Sequence, residues 1–511
     1  MSRTDNATRN SSYRQWPGER HPTQWDVHDA NQSPAVSFLE RFRVALLHSE
    51  YAEEEGESVL DAASFIGESE TLNPTLTPPT DSAASYTYPM ALLSDNLAMP
   101  SEDELLRLQG EFYTSFKQHI FINSVDVTGT SGIIPPYLQL ALACISSVTS
   151  PLAGTNEHLS GSDFFITGVH LWGVMLEVDN REARLLEAVV AATLLITYGI
   201  LSTDHKECRQ ATGLLANVTT ITRRLHLTDY YPPLLVPGEI PERESSMKSS
   251  LISYMLLIDV MHSVHCNTVI NHSVSELWIK MPSSMHSFRT IYNLLAHDDV
   301  LPPDVKSSED GLLLITALLS DIIYIQRCHV SLPHLSTPKD ERLRNPYAPL
   351  SAKSEFLRQS AGMMAALSQW ENTFHDKVDN DILALYYFTK LHLICPALWE
   401  LPRMAGYGSI CSHPVESREM EISDKAMDLA WLVLDHCDKN SKTARPNLSI
   451  WLPIVLFISA LVVWQRLRSR AATDLKYGTL KVLSMFEHEI ARLPWPCCRE
   501  MSKTLEGLMQ N

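Results

Sequence analysis

Residues Phe164 to Leu227 read FFITGVHLWGVMLEVDNREARLLEAVVAATLLITYGILSTDHKECRQATGLLANVTTITRRLHL. The spacing of apolar residues predicts three consecutive amphipathic helices with two short breaks. Leu171, Val174, Met175 and Val178 recur at helical intervals in the first. Asp179 and Asn180 are expected to stop it, and a side-chain oxygen there can cap the next helix. The second is predicted from about Arg181 to about Leu201, with Leu185, Leu186, Val189, Ala192, Thr193 and Ile196 on one side. Tyr198-Gly199 is read as its end, because glycine enters the left-handed conformation of a helix terminus without a steric penalty. Ser202, Thr203 or Asp204 then caps a third helix that closes near Arg223-Arg224. No facing carboxylates and no nucleophile with a base stand in this stretch, so by itself it reads as the buried hairpin of a larger α domain.

Working outward, 511 residues are enough for one large domain with a tail, or for two to three domains. A hydrophobic content of 45% supplies a core, and only 19 glycines argue against a doubly wound α/β fold, whose tight turns and close backbone approaches need that residue. The formal net charge of −19 opposes nonspecific attraction to nucleic acid or anionic membranes. Nine cysteines are scattered without a C-x2-C pair, and most lie in apolar helical runs, where a thiol packs as a small hydrophobe. Together with a first twenty residues that lack an apolar signal core, this leads us to expect reduced thiols in an intracellular compartment.

Residues 1–100 differ from the rest. They carry 15 acidic and 6 basic residues, hence −9 of the net −19, and no lysine precedes Lys117. A short helix is plausible at Ser37–His48. The next stretch holds eight acids between Glu50 and Glu70, with Val59, Leu60, Phe65 and Ile66 among them. It reads either as an activation segment, offering apolar anchors to a coactivator groove, or as a solvated acidic linker. A largely disordered acidic tail over 1–100 and an all-helical domain over 101–511 are therefore expected. Ser101 to Glu104 forms a capping box, from which a helix should run through Leu105, Leu108, Phe112 and Phe116 toward His119. Further helices are predicted over Ser246 to about Ile270, Asp310–Cys328, Ala352–Phe374, Ile382–Leu398, Lys425–His436, Trp451–Arg468 and Tyr477–Leu493.

The run LWGVMLEVDNREAR…ATLLITYGILSTD…RRLHL resembles the middle homology region of fungal-specific transcription factors, closest to the branch carrying paired Cys2His2 zinc fingers. Its LW, DNREAR, YGILSTD and RRLHL pieces fall in the family's order, and the resemblance extends more weakly from about Leu105 to about Arg468. Phe112-Tyr113…Phe116, the prolines before YLQLALACISSV, and ELWIKMP at 276–282 also resemble family segments. Met247, Lys248 and Tyr254 stand where the family has aromatic and paired-arginine residues, so the match is poor there. The resemblance implies an all-α regulatory domain, nuclear localisation, and partners among other transcription regulators or coactivators. It also implies a possible homo- or heterodimer and control of a metabolic or biosynthetic gene cluster.

Several constellations admit a chemical reading. His205-Lys-Glu207-Cys208 has the H-x-E of zinc deaminases, but Pro496-Cys497-Cys498 lacks the two-residue spacer by which two thiolates reach one zinc, and we reject it. His262, His265 and Cys266, with His272 nearby, share helix faces and can hold a metal; semi-buried histidines with backbone partners are the competing reading, and we expect no zinc, because no ligand set has motif spacing. Asp376, Asp379 and Asp381, or Asp298-Asp299, resemble magnesium carboxylates, yet Pro302-Pro303 breaks any helix there and no second motif faces them, so a loop or cap role is expected. Residues 448–464 are uncharged for 17 residues, which is the short limit for a membrane span; we expect a buried helix instead, as the family has an apolar helix at this place.

A Cys2His2 finger or a binuclear cluster needs closely spaced cysteines, and the first 143 residues contain none. Arg223-Arg224 and the RLRSR run at 466–470 are the densest basic spots, and both look like solvated helix ends. This leaves a regulator without its own reader, or a reading frame that starts upstream of Met1. We therefore expect a transcriptional regulator that is not an enzyme, uses no cofactor, stays off membranes and reaches DNA only through a partner or a missing module. The alternative is an all-α biosynthetic enzyme with its site in a central helical cleft.

Overall fold

The computed structural model describes residues 101–125, 134–149, 160–178, 186–225, 227–228, 242–297, 299–330, 353–395, 398–408, 422–440, 447–469 and 476–510. Among them are fifteen α-helices and no β-strand, so the all-α expectation holds. The acidic tail, the helix expected at 37–48 and the Asp179-Asn180 break lie outside the described residues.

Ser101 opens α1 (Glu102–Thr114) as expected, its hydroxyl accepting from the Glu104 amide at 3.3 Å. The helix does not run on to His119. Lys117 turns its ammonium onto the carbonyls of Ile122 at 2.7 Å and Asn123 at 2.9 Å, and Phe121 takes φ +69°, which reverses the chain. Pro135 and Pro136 start α2 (Pro136–Ser147), where a missing N–H costs nothing.

The hub is built from α3 (Gly161–Val178), α4 (Leu186–Ile200) and α5 (His205–Arg224). Asp204 is the cap of α5, accepting from the Lys206 amide at 2.8 Å. Two details of the sequence reading change. First, α4 is not amphipathic: residues 188–200 are all buried, because it packs against α2, α5 and α6 (Glu242–Cys266) and so presents no face to water. Thr193 and Thr197 are buried there with their hydroxyls donating to Val189 O at 2.7 Å and Thr193 O at 2.9 Å. Second, Gly199 lies inside α4 rather than at a left-handed end. A Cβ on it would stand 2.6 Å from Ala211 Cβ and 2.8 Å from the Phe165 ring, so glycine is needed for close helix approach.

Helix α6 stops at Cys266, four residues before the expected end, and Asn267 follows at φ +54°, a conformation asparagine tolerates. Asp259, fully buried, then pins the returning loop: it accepts from the amides of Asn271 at 2.8 Å and His272 at 2.7 Å. ELWIKMP leaves a short 3-10 turn at Glu276, forms an isolated bridge from Lys280 to Ser287 and leads into α7 (Phe288–Ala296), a helix the periodicity did not flag.

The remaining helices are α8 (Ser308–Val330), α9 (Lys353–Phe374), α10 (Asn380–Ile394), α11 (Leu401–Met404), α12 (Asp424–Asn440), α13 (Leu452–Ser469), α14 (Lys476–Ala491) and α15 (Cys497–Gln510). Trp370 of α9 stacks on Tyr386 of α10 at 4.9 Å, and its indole N–H donates to Gly311 O of α8 at 2.9 Å. Residues 450–463 are buried, with α10, α12, α14 and α15 packed around α13, the core placement expected for that apolar run. Helix α8 is long and apolar enough to cross a membrane, but 72% of its most apolar window is buried against other helices.

Candidate functional site

Two places gather chemistry. The first lies where α5 meets the end of α6. His262 and Cys266 are one helical turn apart on α6, and Cys208 comes from the first turn of α5. One ligand atom from each lies within 4.8 Å of the other two, with Cys208 Sγ and Cys266 Sγ 3.4 Å apart. His262 is buried and both thiols are half-buried.

The imidazole is oriented from both sides. Its Nε2 lies 2.9 Å from the hydroxyl of Thr212, one turn after Cys208 on α5, and its Nδ1 lies 3.0 Å from the hydroxyl of Thr268. Thr268 is held in place by Ser263, whose hydroxyl donates to Thr268 O at 2.7 Å, within the loop that Asp259 pins. The hydrogen bond with Cys266, with help from His262, pushes the Cys208 thiol down. Donation to Cys208, reinforced by burial, pushes Cys266 up. Cys497, at the start of α15, is near enough that Cys266 contributes to raising its thiol, after burial and Cys498.

The second place is a cleft of about 640 Å³ lined by Glu111, His119, Asp379, Asp381, Ser449 and Trp451, among others. His119 donates from Nδ1 to Ile120 O at 2.8 Å, and its buried Nε2 has no hydrogen-bond partner among the described residues. Burial lowers its pKa to about 4, so the ring is neutral. Asp381 accepts from the Ser449 hydroxyl, and burial raises its carboxyl to about 6. The Trp451 indole donates to Asp381 O at 2.8 Å and meets the His119 ring edge to face at 5.9 Å.

The residues singled out from sequence are divided by the fold. His265 faces away from its neighbours: it donates from Nδ1 to Ile200 O at 3.0 Å and accepts from the Tyr407 hydroxyl at 2.9 Å. His272 pairs with Asp259 at 3.1 Å. The i, i+4 pair His262 and Cys266 is brought together with Cys208, and the i, i+3 pair is not. His205 is exposed, and Glu207 is buried between the hydroxyls of Ser162 and Ser202, so the rejected deaminase set does not assemble. Asp379, the cap residue before α10, and Asp381, which accepts from Ser449, line the same cleft, while Asp376 pairs with His375 at 3.0 Å and is not part of it. Asp299 sits in the loop after α7, and Asp298 lies outside the described residues.

Cys208 was missed as a partner of His262 because 54 residues separate them, and only the approach of α5 to the end of α6 joins them. The one local signal was the i, i+4 spacing of His262 and Cys266. No family model, curated protein or solved structure matches this chain.

Proposed function

We propose that this chain is a transcriptional regulator of the fungal-specific type, located in the nucleus and working through protein partners rather than by catalysis. The observation that carries this reading is the ordered set of pieces LWGVMLEVDNREAR, ATLLITYGILSTD and RRLHL in the sequence; of these, residues 171–178, 192–200 and 223–224 lie on α3, α4 and the end of α5. The polar groups of that hub are engaged internally, as suits a scaffold: Thr193 and Thr197 bond to their own helix, and Glu207 to two serines. No zinc-finger spacing occurs within these 511 residues, so DNA contact is assigned to a partner, or to a module outside this sequence. The net charge of −19 agrees, since affinity for duplex comes largely from lysine and arginine at phosphates.

The test is tethering. The full chain fused to a foreign DNA-binding domain should change transcription of a reporter, and residues 37–75 alone should activate it. Phe65→Ala with Ile66→Ala should weaken the fragment. A full-length fusion that reaches the promoter and leaves transcription unchanged counts against the reading.

The second reading, an all-α enzyme, is favoured by one observation: the cleft puts the unpartnered Nε2 of His119 and the carboxyl of Asp381 on one lining. Its discriminating result is a metabolite consumed from cell extract by the purified chain and not by a folded Asp381→Asn variant.

A further inference from the structure

We propose that Cys208, His262 and Cys266 form a zinc site that ties the start of α5 to the end of α6. This goes beyond the regulatory reading and does not depend on it.

The donor set fits the metal. Two thiolates and one imidazole are soft-to-borderline ligands of the kind zinc takes, and three protein ligands leave a fourth position for water. The spacing fits as well. Two thiolates at about 2.3 Å from a tetrahedral zinc stand about 3.8 Å apart. The observed Sγ–Sγ separation is 3.4 Å, so the pair needs only a small opening to admit the ion. A disulfide, at about 2.05 Å, demands a larger closure of the same two sulfurs. A disulfide leaves the His262 ring on Thr212 and Thr268, whereas a metal at the two sulfurs takes Nε2 from Thr212 as its third ligand.

The outer shell is present too. With Nε2 directed to the metal, Nδ1–H donates to the Thr268 hydroxyl, the partner that fixes tautomer and ring direction in zinc sites. Thr268 belongs to the loop that Asp259 anchors, so the orienting group is itself held. The half-buried sulfurs leave a path for the ion from solvent. Binding releases thiol protons to solvent and makes both sulfurs anionic ligands.

The full chain, purified under reducing conditions, should hold one zinc per molecule after extensive desalting. Cobalt in its place should show thiolate-to-metal charge-transfer absorption. Zinc should protect Cys208 and Cys266 from alkylation, read peptide by peptide, and leave Cys328 unprotected; this readout needs no variant and survives any folding failure. Cys208→Ser with Cys266→Ser should abolish retention, while Cys328→Ser keeps it. Thr268→Val, which removes only the orienting hydroxyl, should weaken binding about 10–100-fold. Wild-type chain that binds no zinc under these conditions overturns the proposal. So does zinc that stays with the double-serine variant, or that fails to protect the two thiols. A metal-free chain that instead joins Cys208 to Cys266 by a disulfide on mild oxidation replaces the metal site with a redox pair.

Discussion

Gly199 and Ala211 meet so closely that a methyl on the glycine would stand 2.6 Å from the Ala211 Cβ. This contact sets how near α4 comes to α5, and three residues before Ala211 in α5 stands Cys208. In an exposed helix, replacing glycine by alanine gains up to about 1 kcal/mol. Here the sign should reverse. Gly199→Ala should cost about 1–3 kcal/mol by forcing α4, α5 and the Phe165 ring apart. Denaturant unfolding of the two proteins checks it, and a stabilised variant would show that the helices are not in contact.

Trp370 is the anchor of the second half of the domain, with no exposed surface, stacked on Tyr386 and hydrogen-bonded to Gly311 O. Trp370→Ala should cost about 3–5 kcal/mol. Trp370→Phe keeps most of the ring volume and loses the N–H, so it should cost less. Equal losses would mean that the hydrogen bond, and not the packing, governs the position.

His119 and His392 are both buried and neutral, with pKa lowered from 6.5 to about 4 mainly by desolvation. The unfolded chain takes up these protons first as pH falls. The stability tied to neutral rings is therefore complete above pH about 6.5 and is lost toward pH about 4, at up to about 3 kcal/mol for each ring. His119→Gln with His392→Gln should flatten the unfolding midpoint over that window. An unchanged slope would show that the rings are hydrated in the folded chain.

Asp381 works in the opposite direction. Its folded pKa of about 6 lies above the ordinary 3.8, so the folded state holds the proton more tightly. Its contribution is present at low pH and is lost as pH rises from about 4 to about 6. Asp381→Asn keeps an oxygen to accept from Ser449 and carries no charge to bury. It should be as stable as wild type or more so at pH 7, with a flatter profile over that interval. A large loss at pH 7 would mean that the charged carboxylate meets a cation in solution.

The helix content was legible because it is a local property. Apolar residues at three- and four-residue intervals, the Ser101 and Asp204 caps, and the prolines before α2 each act within a turn or two of chain. The expected burial of 448–464 followed from an uncharged run in a chain rich in other apolar helices, and α10, α12, α14 and α15 cover it. Where the reading erred, a distant contact had overruled a local preference. Gly199 looked like a terminus and serves as a gap for Ala211. Helix α1 differs, since its early end is local: Lys117 reaches forward to the Ile122 and Asn123 carbonyls.

The sequence by itself determined the helical class and most helix positions. It could not determine the sites. His119 and Asp381 are 262 residues apart and share a cleft only because the turn after α1 and the start of α10 both meet Trp451. Cys208 meets His262 and Cys266 only where α5 crosses the end of α6. Periodicity records which side of a helix is buried. Which helix it is buried against depends on how all fifteen pack at once, and that decides where a thiol or an imidazole finds its partner.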